Sequence, residues 1–231
     1  MIVDTPFPQF RERLETALDS LSMAQDRAHV PALLGYLQQL RHWNKAYNLT
    51  AIRDPEKMLV QHVFDSLAIV PELRARWARP GLKVADMGSG AGLPGIILGI
   101  CQPDWSIVCV DAVGKKTAFI RQAAGVLGLK NVRAEHGRIE SMDSLRADIV
   151  ISRAFASLSD FVRVAAHHRA PGGVMLAMKG QDPVAERAAL EADMGWSVKR
   201  TVELSVPGMD AHRCLLELEH EKALNGPEGT Q

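Results

Sequence analysis

The sequence predicts an α/β fold: a mostly parallel sheet with helices on both faces, preceded by a helical cap. Three observations lead there. The stretch Lys83-Val-Ala-Asp-Met-Gly-Ser-Gly-Ala-Gly-Leu-Pro-Gly95 joins an apolar strand to an apolar helix through three closely spaced glycines. Beyond it, strand-like and helix-like runs alternate, and such alternation implies parallel strands with right-handed crossovers. Before it, residues 8–79 show only helical spacing.

The cap comes first. Phe10, Leu14, Ala17, Leu18 and Leu21 recur at helical intervals, as do Leu33, Leu34, Leu37, Leu40 and Trp43. A third helix is expected from Pro55 through Met58, Leu59, His62, Val63 and Leu67 to Val70, with Asp54 as its cap. Pro80-Gly81 is the expected boundary, which divides the chain into a cap (1–80), a sheet domain (81–222) and a frayed tail (223–231). Strands are expected at 83–87, 106–110, 131–135, 147–152 and 174–179, with helices at 93–101, 114–127, 158–169 and 183–192. Pro171-Gly-Gly173 reads as a turn, and 196–204 and 212–218 as a final strand pair.

Composition bounds the function classes. The chain has 231 residues, 47% hydrophobic and 23% charged, which suits a soluble globular protein with a substantial core. Its formal net charge is zero, so contact with nucleic acid requires a local basic patch. Cys101, Cys109 and Cys214 form no C-x-x-C pair, the pattern of a reduced cytosolic protein. No apolar run approaches the ~20 residues of a membrane span, and Met1–Pro8 lacks the build of a signal peptide.

The glycine turn carries the chemistry. Residues without Cβ let a ligand approach the backbone, and a helix start offers free N–H groups to polar or anionic groups. Two ligand classes fit. Gly90, Gly92 and Gly95 match G-x-G-x-x-G, a dinucleotide pattern; Asp86, Gly88, Gly90 and Gly92 match D-x-G-x-G-x-G, an S-adenosylmethionine pattern. In the second, Asp86 helps to order the ammonium of the cofactor's amino-acid end. An ordinary structural turn is the third reading. Asp111, ending the second strand, suits the ribose hydroxyls of either cofactor; its alternative is a helix cap. Gly137-Arg-Ile-Glu140 follows the third strand, where the backbone of Ile139 and Glu140 can meet an adenine edge. Arg153 emerges from an apolar strand, so it is either functional or satisfied by a buried partner. The helix-and-sheet arrangement with a closing strand pair favours the methyltransferase reading over a nicotinamide enzyme, which more often has a symmetrical second half.

Lys115, Lys116, Arg121, Lys130, Arg133, Arg138, Arg153 and Lys179 mostly follow strand ends and form a candidate phosphate-binding rim, with Lys115, Lys116, Arg138 and Lys179 as the RNA-contacting set. Solvated helix faces are the alternative. His62 and Asp65 share a helix face, and an interhelical hydrogen bond is expected of them rather than catalysis. His167 and His168 are expected to point apart, without metal-ligand spacing.

Trp43-Asn-Lys-Ala-Tyr-Asn-Leu-Thr50, His62-Val-Phe-Asp-Ser66, Gly88-Ser-Gly-Ala-Gly-Leu-Pro-Gly95, Ile151-Ser-Arg-Ala-Phe-Ala156 and Lys179-Gly180 together resemble the bacterial small-subunit ribosomal RNA methyltransferase G family, also called the glucose-inhibited division protein B family. The similarity runs from about Leu37 to Leu218. It implies a Rossmann-like class I methyltransferase fold, S-adenosyl-L-methionine as cofactor, and transfer of a methyl group to N7 of one guanine in 16S ribosomal RNA near the decoding region. Gly88, Leu93, Ile139, Glu140 and Arg153 match the family's cofactor positions. The expected partner is 16S ribosomal RNA or the small ribosomal subunit, met by a cytoplasmic, metal-free monomer. Ser89 stands where Thr is frequent and Ala112 where Ser is frequent, so a side-chain hydroxyl is lost at 112. Guanine N7 has a free lone pair and no proton to lose, so no catalytic base is expected. A nicotinamide oxidoreductase and a non-catalytic RNA-binding protein are the rival classes.

Overall fold

The computed structural model describes residues 7–153 and 155–220. The expected tail at 223–231 lies outside them. Helix α1 (Pro8–Ser20) opens on a proline, whose missing N–H would have no partner there, and buries Phe10, Leu14, Ala17 and Leu18. A 3₁₀ turn (Ala24–His29) leads into α2 (Val30–Tyr47), which buries Leu33, Leu34, Tyr36, Leu37 and Leu40 along one stripe. Burying each such leucine is worth about 1.5–3 kcal/mol. Asn48 ends α2 in the left-handed region at φ 48°.

Helix α3 (Pro55–Met58) starts as expected, with Asp54 Oδ1 accepting the Glu56 N–H at 2.9 Å. It then departs from a regular helix. Leu59–Phe64 form a π-helical turn before α4 (Asp65–Leu67) and α5 (Val70–Arg76). Such turns accommodate an inserted residue and occur often at functional sites. Apolar period alone does not report one.

The sheet domain alternates as predicted: β1 (Lys83–Met87), α6 (Gly95–Cys101), β2 (Ser106–Asp111), α7 (Gly114–Val126), β3 (Val132–His136), a 3₁₀ turn (Ile139–Ser141), β4 (Ala147–Ser152), α8 (Leu158–Ala165), β5 (Arg169–Lys179), α9 (Val184–Met194), β6 (Trp196–Glu203) and β7 (Cys214–His220). The strand order is β3-β2-β1-β4-β5-β7-β6. Neighbours from β3 to β5 pair parallel, while β7 runs antiparallel to both β5 and β6. In register, Asp86 lies opposite Cys109 and Ile151, which sets the carboxyl ends of β1, β2 and β4 level.

Two expectations change here. Pro171–Gly173 is not a turn between elements but part of β5, which takes up Gly172 at φ 74° where the β4–β5 register shifts. His167 and His168 do not point apart. A 3₁₀ turn (Ala166–His168) replaces the last helical turn, and the two rings approach to 3.9 Å between centroids.

Each face of the sheet has its own core. On one, α8 and α9 bring Leu158, Phe161, Val162 and Leu190 against Ala85, Val150 and Met175. On the other, α6 and α7 share a single apolar cluster with the cap, from Leu14 and Leu37 through Ile97 to Phe119. Phe119 meets Tyr36 and Trp43 with ring centroids 6.2 and 5.7 Å away, so α2 is docked on α7 by aromatic contacts.

Close packing behind the glycine turn sets a steric limit. A Cβ at Gly95 would lie 2.4 Å from Cys109 Sγ and 2.9 Å from Asp86 Oδ2, both fully buried. Gly95→Ala is therefore expected to destabilise the fold by about 1–3 kcal/mol despite its better helix propensity. That is a fall in Tm of about 2–4 °C per kcal/mol for a chain of this size. An unchanged thermal midpoint would show that α6 shifts freely off the sheet.

Candidate active site

Residues 88–92 turn sharply above β1. Gly88, Gly90 and Gly92 all have positive φ, at 66°, 59° and 78°, which explains three glycines in five residues. A Cβ built at Gly90 meets nothing within 4 Å, so this face of the turn is open. The turn's other contacts hold it rigid. Ser89 N–H donates to Val110 O at 3.0 Å, and the N–H groups of Gly92 and Leu93 both donate to Ser89 O. Tyr36, from α2, donates its hydroxyl to Ala91 O at 2.8 Å. Burial drives that phenol's pKa well above its ordinary value, so it remains a donor.

Asp86 is completely buried. Its Oδ2 accepts the Gly95 N–H at 2.9 Å, whereas Oδ1 has no hydrogen-bond partner among the described residues. Burial pushes the carboxyl's pKa up to about 7, against the lowering effects of the Gly95 N–H and nearby Arg153. An orphaned acceptor in so dry a place is a site lacking a donor. Asp111, 5% exposed, accepts Gly90 N–H on one oxygen and Val113 N–H on the other, at 2.9 and 2.8 Å, and Lys116 Nζ lies 3.6 Å away. It does not cap α7, whose N-cap is Val113; it holds the turn ahead of that helix and remains a ligand candidate, because each carboxylate oxygen keeps a second lone pair. Its carbonyl accepts the Gly137 N–H at 3.2 Å, which brings the 137–140 segment beside the turn. There the Ile139 carbonyl is taken by buried His168 Nε2 at 2.9 Å, while Glu140 pairs with exposed Arg138 at 3.7 Å.

The residues present suit S-adenosylmethionine. Asp86 Oδ1 would receive its ammonium and Asp111 its ribose hydroxyls, along a backbone that glycine leaves uncovered.

A concavity of about 300 Å³ opens at the carboxyl ends of β4 and β5. Ser152 Oγ donates to Met87 O at 2.7 Å, so Arg153 and Gly88 leave the sheet side by side. Arg153 then reaches the cap: its guanidinium donates to Gln61 O at 3.0 Å and to Asp65 Oδ2 at 3.1 Å. Arg213, preceding β7, donates to the other oxygen, Asp65 Oδ1, at 2.9 Å. Asp65 is thus a buried carboxylate between two guanidinium groups. In place of the expected hydrogen bond between helices, Asp65 forms this bridge to the sheet while His62 turns to partners within the cap. His62 contacts Thr50 Oγ1 at 2.9 Å through Nε2 and Gln61 O at 3.1 Å through Nδ1. Burial, with Arg153 second, lowers its pKa to about 4, so the ring is neutral at physiological pH.

Of the four cations expected to face RNA, Lys115 and Arg138 are exposed, and Lys116 leans on Asp111. Lys179 is differently placed. Its ammonium donates to Phe155 O and Ala156 O and pairs with Glu186 at 2.9 Å, so it braces the segment after Arg153 while lining the cavity. Lys130 precedes β3 and so sits at the amino end of the sheet, away from the rim. Tyr36 and Arg213 were not legible as site residues. The only signal was a phenol inside an apolar helical stripe, which needs a buried partner for its hydroxyl.

Among the described residues, Asp26, His29 and Cys101 place potential metal-ligand atoms within 4.8 Å of one another. Arg74 occupies this group, donating to both Asp26 oxygens at 2.5 and 2.7 Å and to Cys101 O at 2.8 Å. Burial raises the Cys101 thiol's pKa to about 12, which further opposes metal ligation.

This strand order, with its one reversed strand and its glycine turn after β1, defines the Rossmann-like fold of S-adenosylmethionine-dependent methyltransferases. The same fold is seen in a crystal structure of a SAM-dependent methyltransferase from Aquifex aeolicus, with a TM-score of 0.55, 18% identity, and coverage of 74% of this chain and 96% of that one. Residues 29–216 match the family described as rRNA small subunit methyltransferase G, and the chain belongs to that family. Relatives called "Ribosomal RNA small subunit methyltransferase G" include one from Bordetella avium (strain 197N), 53% identical over 206 residues, covering 89% of this chain and 91% of the relative. Another, from Acidovorax sp. (strain JS42), is 46% identical over 217 residues, covering 90% and 95%. No helix among the described residues is long and apolar enough to cross a membrane.

The buried acid has a pH signature. An aspartate in the unfolded chain ionises near 3.8, while Asp86 holds its proton up to about 7. Between those values the unfolded state binds fewer protons, so Asp86 makes the cofactor-free protein lose stability as pH rises across that window, then level off. The substitution Asp86→Asn keeps an acceptor for Gly95. The stability of the wild type minus that of the Asp86→Asn variant, from urea titrations between pH about 4 and about 8, should fall through the window. A constant difference would mean that the carboxyl is already ionised throughout.

Proposed function

We propose that this protein methylates N7 of a guanine in 16S ribosomal RNA, with the cofactor along the glycine turn and the base in the cavity beside Arg153. The observation that carries the reading is the adjacency of the open face of the glycine turn to the cavity beside Arg153, fixed by the Ser152–Met87 hydrogen bond. The cofactor would supply a sulfonium with an activated methyl group.

The chain's own residues orient and dehydrate. Asp86 Oδ1 and Asp111 anchor the donor's two ends, and Leu93, Ile139 and Glu140 border it. Arg153 spends part of its donor set on Gln61 and Asp65, and a guanidinium has five N–H groups. The remainder suit guanine O6, which leaves the N7 lone pair free to attack in line. No proton has to leave N7, so the gain comes from alignment. The charge states support this. His62 is neutral with both nitrogens engaged, Tyr36 is committed to Ala91, and Asp65 is shared by two arginines. None is poised as a base. The enzyme works as a metal-free monomer in the cytoplasm, on RNA positioned partly by Lys115 and Arg138, with Lys116 beside the ribose end.

Small-subunit RNA from cells lacking this protein should lack one N7-methylguanosine by mass mapping, and the purified protein with S-adenosylmethionine should restore it. Methylation elsewhere on the base, or none, overturns the reading. With cofactor and RNA saturating, the single-turnover rate should vary less than about twofold between pH 6.5 and 9, whereas general-base catalysis would give a limb near the base's pKa.

A further inference from the structure

Beside the acceptor cavity lies a second concavity, about 320 Å³, bounded by Arg41, Asn44 and Lys45 of α2 and by Arg53, Pro55 and Met58. We propose that this groove on the helical cap seats the phosphodiester backbone of the RNA strand flanking the methylated base. The inference rests on the methyltransferase reading above.

Charge is the first argument. Cations around the acceptor site are largely neutralised in place: Lys116 by Asp111, Arg138 by Glu140, Arg153 and Arg213 by Asp65, and Lys179 by Glu186, all within 4.0 Å. Among the described residues, Arg41, Lys45 and Arg53 have no such carboxylate. Arg41 lies over the Phe7 ring at 5.4 Å, and Arg53 reaches only Asn48 Oδ1 at 3.4 Å. The nearest acids in sequence are engaged elsewhere, with Asp54 capping α3 and Glu56 paired with Arg13 at 3.5 Å. All three cations are exposed. Arg41 and Lys45 are four apart on one helix, an arrangement of like charges that destabilises the helix unless an anion comes between them. In a chain of zero net charge, the groove is therefore a local positive field of the kind that phosphate contacts require.

Position is the second argument. Ile52 lines the acceptor cavity and Arg53 lines the groove. The two spaces thus border a single stretch of backbone, with consecutive Cα atoms about 3.8 Å apart. That stretch is held from both directions. Buried Asn44 accepts the Thr50 N–H at 2.8 Å and donates to Ile52 O at 3.0 Å, and Thr50 Oγ1 lies 2.9 Å from His62 Nε2. A strand whose base enters at Ile52 has its neighbouring phosphate delivered to Arg53.

The test compares wild type, the triple variant Arg41→Ala/Lys45→Ala/Arg53→Ala, and the single variants Arg53→Glu and Arg53→Lys. The substrate is the small subunit, and separately its RNA, from cells lacking this protein. Binding to the RNA is measured against salt, with S-adenosylhomocysteine binding as the control for the fold. The triple variant should lose about 0.7 from the slope of log affinity against log salt for each phosphate contact removed. Its KM should rise about tenfold at physiological salt with kcat within about twofold, following the salt-slope argument. Arg53→Glu should weaken binding more than loss of the side chain would, and Arg53→Lys should keep the slope. Equal slopes and equal KM for wild type and triple variant, with S-adenosylhomocysteine still bound, would overturn the groove and leave the reaction standing. A changed slope with no methyl transfer by the wild type would support the groove and sink the reaction.

Discussion

The carboxylate of Asp65 holds this molecule's working parts in register. It lies buried where the cap meets the sheet, and its two oxygens receive Arg153 from the end of β4 and Arg213 from the approach to β7. A buried ion pair of this kind adds little net stability, because desolvating three charges offsets most of their attraction. Removing one partner from such a group is a different matter and typically costs about 3–5 kcal/mol, since a charge is stranded. The interaction therefore specifies geometry. It keeps Arg153 directed over the acceptor cavity and prevents the cap from settling elsewhere on the sheet.

The cap has a second hold, on the cofactor side. Tyr36 reaches from α2 to the Ala91 carbonyl, and the aromatic contacts of Tyr36 and Trp43 with Phe119 carry α2 onto α7. Cap and sheet thus share an apolar cluster on one face, whereas α8 and α9 fill a separate cluster on the other. The two spaces proposed for donor and acceptor meet along the line where the cap crosses the strand ends. A single rigid seam fits a reaction that needs alignment more than proton transfer.

Much of this was legible in the sequence because the signals are local. The apolar run into Asp86, the glycines that follow, and the turn at Asp54 are each set by neighbours within a few residues. What stayed hidden depends on distance or on small changes of helical pitch. Asp65 and Arg213 are separated by 148 positions, and no spacing rule joins them. The π-helical turn leaves the apolar pattern nearly intact while rotating His62 and Asp65 away from where a regular helix would send them. Lys179 looked free because a lysine after a strand usually meets solvent, yet Glu186 and two carbonyls hold it. A charge's role follows from its partners, and partners brought by other elements are invisible in a linear reading.

The strand order also imposes a sequence of assembly. β7 is made last but lies between β5 and β6, so β6 has no place in the sheet until the final strand slides in beside it. The same segment carries Arg213 to Asp65. A growing chain can fold its cap and first five strands on the ribosome while its methylating centre is still incomplete. Emergence of the last strand then closes both the sheet's outer border and the wall of the cavity proposed for the target base.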